Sequence, residues 1–169
     1  MNTGQSTQAE VCLQFAADVR DSMCPDQSAF AAWVAAALSA AQDKVPAKGV
    51  VGIRVVSPAE SAELNRNYRG KDAPTNILAF PAGPSHVPAS ELEEHEVGDL
   101  VLCLEVARSE ADAQHKTLTQ HIAHLTVHGT LHLLGYDHLD EADASHMEAL
   151  ERTILERLGL PDPYQNDAA

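Results

Sequence analysis

Val127-His128-Gly129-Thr130-Leu131-His132-Leu133-Leu134-Gly135-Tyr136-Asp137-His138 is the stretch on which the reading of this chain turns. His128 and His132 stand four residues apart, which puts two imidazoles on one face of an α-helix, about 6 Å apart along its axis. Gly135 offers the left-handed conformation that commonly ends a helix, so the chain can turn back and carry His138 toward the same point. Three neutral imidazoles suit zinc or a neighbouring transition metal. Three protein ligands leave a fourth position open to water, the pattern of catalytic rather than structural sites. Water held there would have its pKa lowered from about 15.7 to about 7, which points to hydrolysis. The spacing is that of the zinc-peptidase helix His-Glu-x-x-His, but Gly129 stands at the glutamate position, so a peptidase mechanism is disfavoured. His121 and His124 share this helix face one to two turns farther back, where packing or support of a ligand is expected rather than ligation.

The surrounding elements follow from hydropathy patterning. Residues 9–16 mix apolar and polar side chains in near alternation and predict a first strand. Pro25-Asp26-Gln27-Ser28 supplies capping residues, after which Phe30, Trp33, Val34, Ala37 and Leu38 recur at helical spacing through Gln42, a face expected in the core. The β-branched run Val50-Val51-Gly52-Ile53-Arg54-Val55-Val56 predicts a strand, and Ser57-Pro58 with Glu60 starts a helix through about Asn67. Two apolar runs, 77–80 between prolines and 99–104 after Gly98, predict strands that pair with each other. Between them, 81–96 is rich in proline and glutamate and reads as an exposed connecting loop. Helices are expected over 105–116, 118–134 and 141–158, the last acidic, amphipathic and ended by Gly159 and Pro161. Strands early and helices late predict an α+β domain: a small mixed β-sheet of about four strands covered by helices, with the metal site at the end of a helix.

At 169 residues the chain suits one domain, expected over 9–164 with tails at 1–8 and 165–169. Cys12, Cys24 and Cys103 form no CxxC pair and are odd in number, which suits reduced, buried thiols in a cytoplasmic protein. The polar N-terminus lacks a secretory pattern, and the nearly apolar run 30–41 is shorter than the roughly 20 residues a bilayer span needs, so a soluble protein is expected. Lysine and arginine number 11 against 25 acids, a formal net charge of −14 that repels a nucleic-acid backbone at long range and argues against a general nucleic-acid binder. Arg66, Arg69 and Lys71 nevertheless crowd one short stretch, leaving room for a local basic patch.

With these residues in view, the chain resembles the YbeY endoribonucleases, metal-dependent proteins of ribosomal RNA maturation. Their signature His-Gly-x-Leu-His-Leu-x-Gly-Tyr-Asp-His is met in full by residues 128–138. A second block is Leu64-Asn65-Arg66-Asn67-Tyr68-Arg69-Gly70-Lys71-Asp72-Ala73-Pro74-Thr75-Asn76-Ile77-Leu78-Ala79-Phe80-Pro81, and a third is Gly98-Asp99-Leu100-Val101. The likeness runs on through Met147-Glu148-Ala149-Leu150-Glu151 to Pro163-Tyr164 and covers roughly 50–164; Ala79 departs from it where a serine is usual. The resemblance implies His128, His132 and His138 as ligands of one divalent metal ion, zinc before others, and Arg69 as a basic residue facing the metal cleft. It implies a single-strand-specific endoribonuclease of small-subunit ribosomal RNA 3′-end maturation and ribosome quality control. Ribosomal RNA and the small-subunit precursor with its proteins would be the partners, with neither DNA nor membrane. From the residues themselves, a metal hydrolase of a non-RNA substrate and a non-enzymatic assembly factor with a structural metal stay open. So does the proton acceptor: water on the metal, Asp137 or another acid, or the RNA 2′-hydroxyl. Asp137 could orient a ligand imidazole or simply serve the turn, and Tyr136 is expected to pack.

Overall fold

Aliphatic and β-branched runs build the scaffold in the computed structural model, which describes residues 8–19, 24–41, 48–83, 94–136 and 140–164. The elements are β1 (Gln8–Phe15), α1 (Gln27–Ala40), β2 (Lys48–Val56), α2 (Pro58–Arg69), β3 (Ile77–Pro81), β4 (Glu94–Cys103), α3 (Leu104–Ala113), α4 (Leu118–Leu133) and α5 (Glu141–Arg157). The sheet runs β1-β2-β4-β3. β1 and β4 flank β2 in parallel, whereas β3 pairs antiparallel with β4, Ile77 opposite Leu102 and Ala79 opposite Leu100. The mixed α+β sheet and the pairing of the 77–80 and 99–104 runs are therefore as expected.

Strand alternation sorts the side chains onto two faces. Val51, Ile53, Val55, Leu100 and Leu102 face a core that they share with α1, α4 and α5, while Val56, Leu78, Val101 and Cys103 form a smaller cluster with Leu64 of α2 and Phe80. α4 is the spine of the larger core: Ile122, Leu125, Val127, Leu131 and Leu133 are buried. Its start is a capping box, Gln120 N donating to Thr117 Oγ1 and Thr117 N to Gln120 Oε1, both at 3.1 Å. Position 129 points at the sheet, since a Cβ there would lie 2.8 Å from Leu100 Cδ2 and 3.2 Å from Ile77 Cδ1. That contact accounts for the glycine after His128: a side chain at 129 would collide with Leu100 and Ile77 of the sheet from its Cβ onward.

The end of α4 closes as expected. Gly135 has φ 96°, its N–H bonds to His132 O at 3.0 Å, and the N–H of Tyr136 reaches back to Leu131 O at 3.1 Å. These paired bonds satisfy carbonyls the helix would otherwise leave open. Tyr136 then packs its ring on His146, centroids 6.0 Å apart.

Several boundaries differ from the sequence expectation. β4 begins at Glu94 rather than at Asp99, because Lys48–Val50 of β2 supplies a parallel partner across an irregularity at Val50/Val51. Leu104 opens α3 instead of ending the strand, and that helix stops at Ala113, short of Lys116. α2 continues past Asn67 to Arg69, capped by Gly70 at φ 70°. Gln8, expected in the tail, opens β1; residues 1–7, 165–169 and Gln42 lie outside the described residues. Of the cysteines only Cys103 is buried, whereas Cys12 is exposed and Cys24 half-buried, because Cys12 falls on the strand face that α1 does not cover. No helix among the described residues is long and apolar enough to cross a membrane.

Because an L side chain is strained at the φ of 96° adopted by Gly135, Gly135→Ala should destabilise the fold by about 1–2 kcal/mol in urea denaturation, with an unchanged m-value.

Candidate metal centre

Four histidines, His121, His124, His128 and His132, run along the side of α4 that faces a cleft of about 1300 Å³. β3, the last turn of α2 and residues 161–164 form its other walls. Arg69 lines this cleft too, exposed on the last turn of α2. The loop after α2 is tied down by buried polar side chains. Ser61 Oγ accepts from Thr75 N and donates to Thr75 O, both at 2.9 Å, and Asn65 Nδ2 donates to Ala73 O at 2.8 Å. These bonds hold the α2–β3 connection against α2, whose last turn carries Arg69.

His128 Nε2 and His132 Nε2 lie 3.0 Å apart, with the rings crossing at 79°. Two nitrogens each about 2.0–2.1 Å from one tetrahedral zinc would be roughly 3.3 Å apart, so the pair fits a shared ion after a shift of a few tenths of an ångström. His138 and Asp137, the other expected members of the turn, lie outside the described residues.

Behind His128 is a group that sequence reasoning did not single out. Glu151 of α5 is fully buried; its Oε1 meets His128 Nδ1, and its Oε2 accepts from the Tyr164 hydroxyl. His124 Nε2 lies 3.7 Å from Glu151 Oε1 and 3.4 Å from the Tyr164 oxygen. Burial by itself would push the Glu151 carboxyl up, but hydrogen bonds from His124, His128 and Tyr164 outweigh it and hold the carboxyl down at about 2. The Tyr164 hydroxyl is pushed up by burial and by its bond to Glu151, and so remains a donor. An ionised carboxylate can only accept, so His128 Nδ1 carries the proton and the lone pair of Nε2 is left for the cleft.

His124, His128 and Glu151 also form a compact set, with one potential ligand atom from each within 4.8 Å of the others, and so cluster as a possible metal site. An ion seated on Glu151 would have to displace the Tyr164 and His128 hydrogen bonds from a carboxylate with no exposure to the cleft. The Nε2 pair of His128 and His132 lines the cleft, and an ion there would replace the hydrogen bond the two rings make with each other. The geometry therefore favours Glu151 as the support of His128 rather than as a ligand.

The far end of the row is braced differently. His121 Nε2 meets Glu110 Oε1 at 3.0 Å, and Asn76 Nδ2 donates to both Glu110 oxygens at 3.0 and 3.3 Å. Burial pulls the His121 pKa down against the opposing effect of Glu110. His121 thus hydrogen-bonds to Glu110, whereas His124, expected only to pack or to support a ligand, stands with His128 and Glu151 in the possible metal cluster. Glu151 had a signal in the sequence: Met147, Glu151, Ile154 and Leu155 form the buried stripe of α5, and a carboxylate on an apolar stripe must find partners.

The family model described as Endoribonuclease YbeY matches residues 16–159. The chain is 46% identical over 155 residues to the Endoribonuclease YbeY of Alcanivorax borkumensis, covering 91% of this chain and 85% of that one. It is 48% identical over 147 residues to the Endoribonuclease YbeY of Pseudomonas entomophila, with 87% and 89% coverage. The solution structure of TM1509 from Thermotoga maritima matches with a TM-score of 0.54 over 95% of this chain and 99% of that one, at 19% identity, a likeness of fold.

Glu151→Gln keeps the volume but replaces an acceptor oxygen with an N–H donor, so either His128 or Tyr164 loses its acceptor. Zinc affinity should fall about 10–100-fold in competition with a chromophoric chelator, while the circular dichroism spectrum is unchanged. The Glu151 carboxyl is lowered from 4.5 to about 2 by folding, so its stabilisation is complete above the unfolded value and is lost as the pH falls from there toward 2. Urea midpoints should therefore drop more steeply through this window in the native chain than in Glu151→Gln.

Proposed function

The chain belongs to the YbeY endoribonuclease family, and on that premise we propose that it is a metal-dependent, single-strand-specific endoribonuclease. Its place would be small-subunit ribosomal RNA 3′-end maturation and ribosome quality control in the cytoplasm. One juxtaposition supports this above all: the His128 and His132 nitrogens, 3.0 Å apart, open into the cleft that Arg69 also lines.

In this reading His128, His132 and His138 would hold one zinc ion. The ion supplies Lewis acidity, which lowers the pKa of water and neutralises charge building on the phosphodiester. Glu151 keeps the Nδ1 proton on His128 and so keeps its Nε2 aimed at the cleft. Arg69 donates paired hydrogen bonds to phosphate oxygens and stays charged at every relevant pH, which lysine would do less well. With a net charge of −14 the protein has little general attraction for nucleic acid, so substrate choice falls to groups inside the cleft. Single-stranded ribosomal RNA, presented on the small-subunit precursor with its associated proteins, is the proposed partner.

Metal-depleted and zinc-restored protein should be incubated with single-stranded and duplex ribosomal RNA fragments, beside His132→Ala and Arg69→Ala. We expect cleavage of the single strand only, lost on depletion and recovered with zinc. His132→Ala should be inactive, and Arg69→Ala slower by about 100–1000-fold. Full activity in His132→Ala would remove the metal chemistry, and full activity in Arg69→Ala would remove only the phosphate role. Unfolding on depletion, without turnover in the restored protein, would favour an assembly factor with a structural metal.

A further inference from the structure

We infer that Tyr68 is the platform on which one unpaired nucleobase stacks, beside the phosphate held at Arg69; this rests on the endoribonuclease reading above. The chain has one tryptophan, three tyrosines and three phenylalanines, of which Tyr68, Phe80 and Tyr164 line the cleft and Tyr68 alone of these three is exposed. Trp33 and Phe30 are buried against each other in the core. Phe15 lies on β1, at the opposite edge of the sheet from β3. Tyr136 is stacked on His146, and the Tyr164 hydroxyl is bound to Glu151. Tyr68 is 68% exposed, lines the cleft with His128 and His132, and directly precedes Arg69.

Its ring is also held in place. Phe80 of β3, itself half-buried, meets it edge-to-face, centroids 4.9 Å apart and planes at 72°. A braced aromatic loses little freedom when a base stacks on it. Charge makes such a contact useful: at −14 the overall field repels an RNA backbone, so affinity from a source other than phosphate neutralisation helps. Stacking on an aromatic ring provides affinity without charge and tolerates any base. It also discriminates, because duplex bases already have both faces covered by their neighbours, whereas an unpaired base has a face to offer.

The test uses zinc-loaded full-length protein and short single-stranded RNAs in which an abasic nucleotide, or 2-aminopurine, is moved one position at a time through the cleavage region. Tyr68→Ala and Tyr68→Leu should raise KM about 10-fold with kcat within about twofold, and Tyr68→Phe should behave as the native protein. Leucine keeps apolar cover on Phe80, so its failure separates stacking from packing. In the native protein an abasic nucleotide at one position should raise KM by a similar factor, and in Tyr68→Ala it should add nothing. 2-Aminopurine at that position should be quenched by the native and Tyr68→Phe proteins but not by Tyr68→Leu. A native KM in Tyr68→Leu, or an abasic penalty undiminished in Tyr68→Ala, would overturn the stacking role while leaving the nuclease reading in place. A native protein that cleaves none of these RNAs would overturn both.

Discussion

A carboxylate buried without solvent must be paid for by hydrogen bonds, and Glu151 meets that demand from two directions at once. Its Oε1 engages His128 and its Oε2 the Tyr164 hydroxyl, with His124 alongside. The three elements that converge on it, α4, α5 and the segment after α5, are thereby locked in register by a charge that no other placement would satisfy. The same requirement settles the chemistry of His128. Because the carboxylate is ionised and only accepts, the proton sits on Nδ1, and Nε2 is left as a donor of electrons to the cleft.

The rest of the molecule serves to place that nitrogen. α4 lies close on the sheet because Gly129 leaves room for Leu100 and Ile77, and this closeness turns the histidine side of the helix outward along β3. Across the cleft, Ser61 and Asn65 hold the connection after α2, the helix whose last turn carries Arg69. At the other end Glu110 ties Asn76 to His121 and braces α3, α4 and the start of β3 together. A rigid histidine row thus faces an exposed arginine on a mobile-length side chain, a division that suits a fixed centre and an adaptable phosphate contact.

Much of this was legible in the sequence, and the exceptions have a common physical cause. The helix periodicity of residues 118–134, the β-branched run at 50–56 and the glycine at 135 are local signals, and each element formed where expected. The start of β4 falls within the 81–96 stretch expected as loop, because Glu94-His95-Glu96 carries little strand character of its own; its pairing comes from Lys48–Val50, remote in sequence. That Arg69 and the histidines line one cleft is likewise a tertiary fact, reachable from the sequence only through the family resemblance. Glu151 is the instructive omission. Acids dominate the exposed face of α5, and a further acid within its buried stripe passes unnoticed unless each apolar-face position is inspected for a charge. Cys12 shows the converse, a small residue type usually buried that follows its strand face into solvent.

The most direct measurement is the tautomeric state of His128 in zinc-loaded, ¹⁵N-histidine-labelled protein, read from long-range ¹H–¹⁵N correlations. The account predicts a proton on Nδ1 and metal-shifted resonances from Nε2 of both His128 and His132. A proton on Nε2 of His128 with Nδ1 bound to the ion would place the metal on the Glu151 side and contradict it.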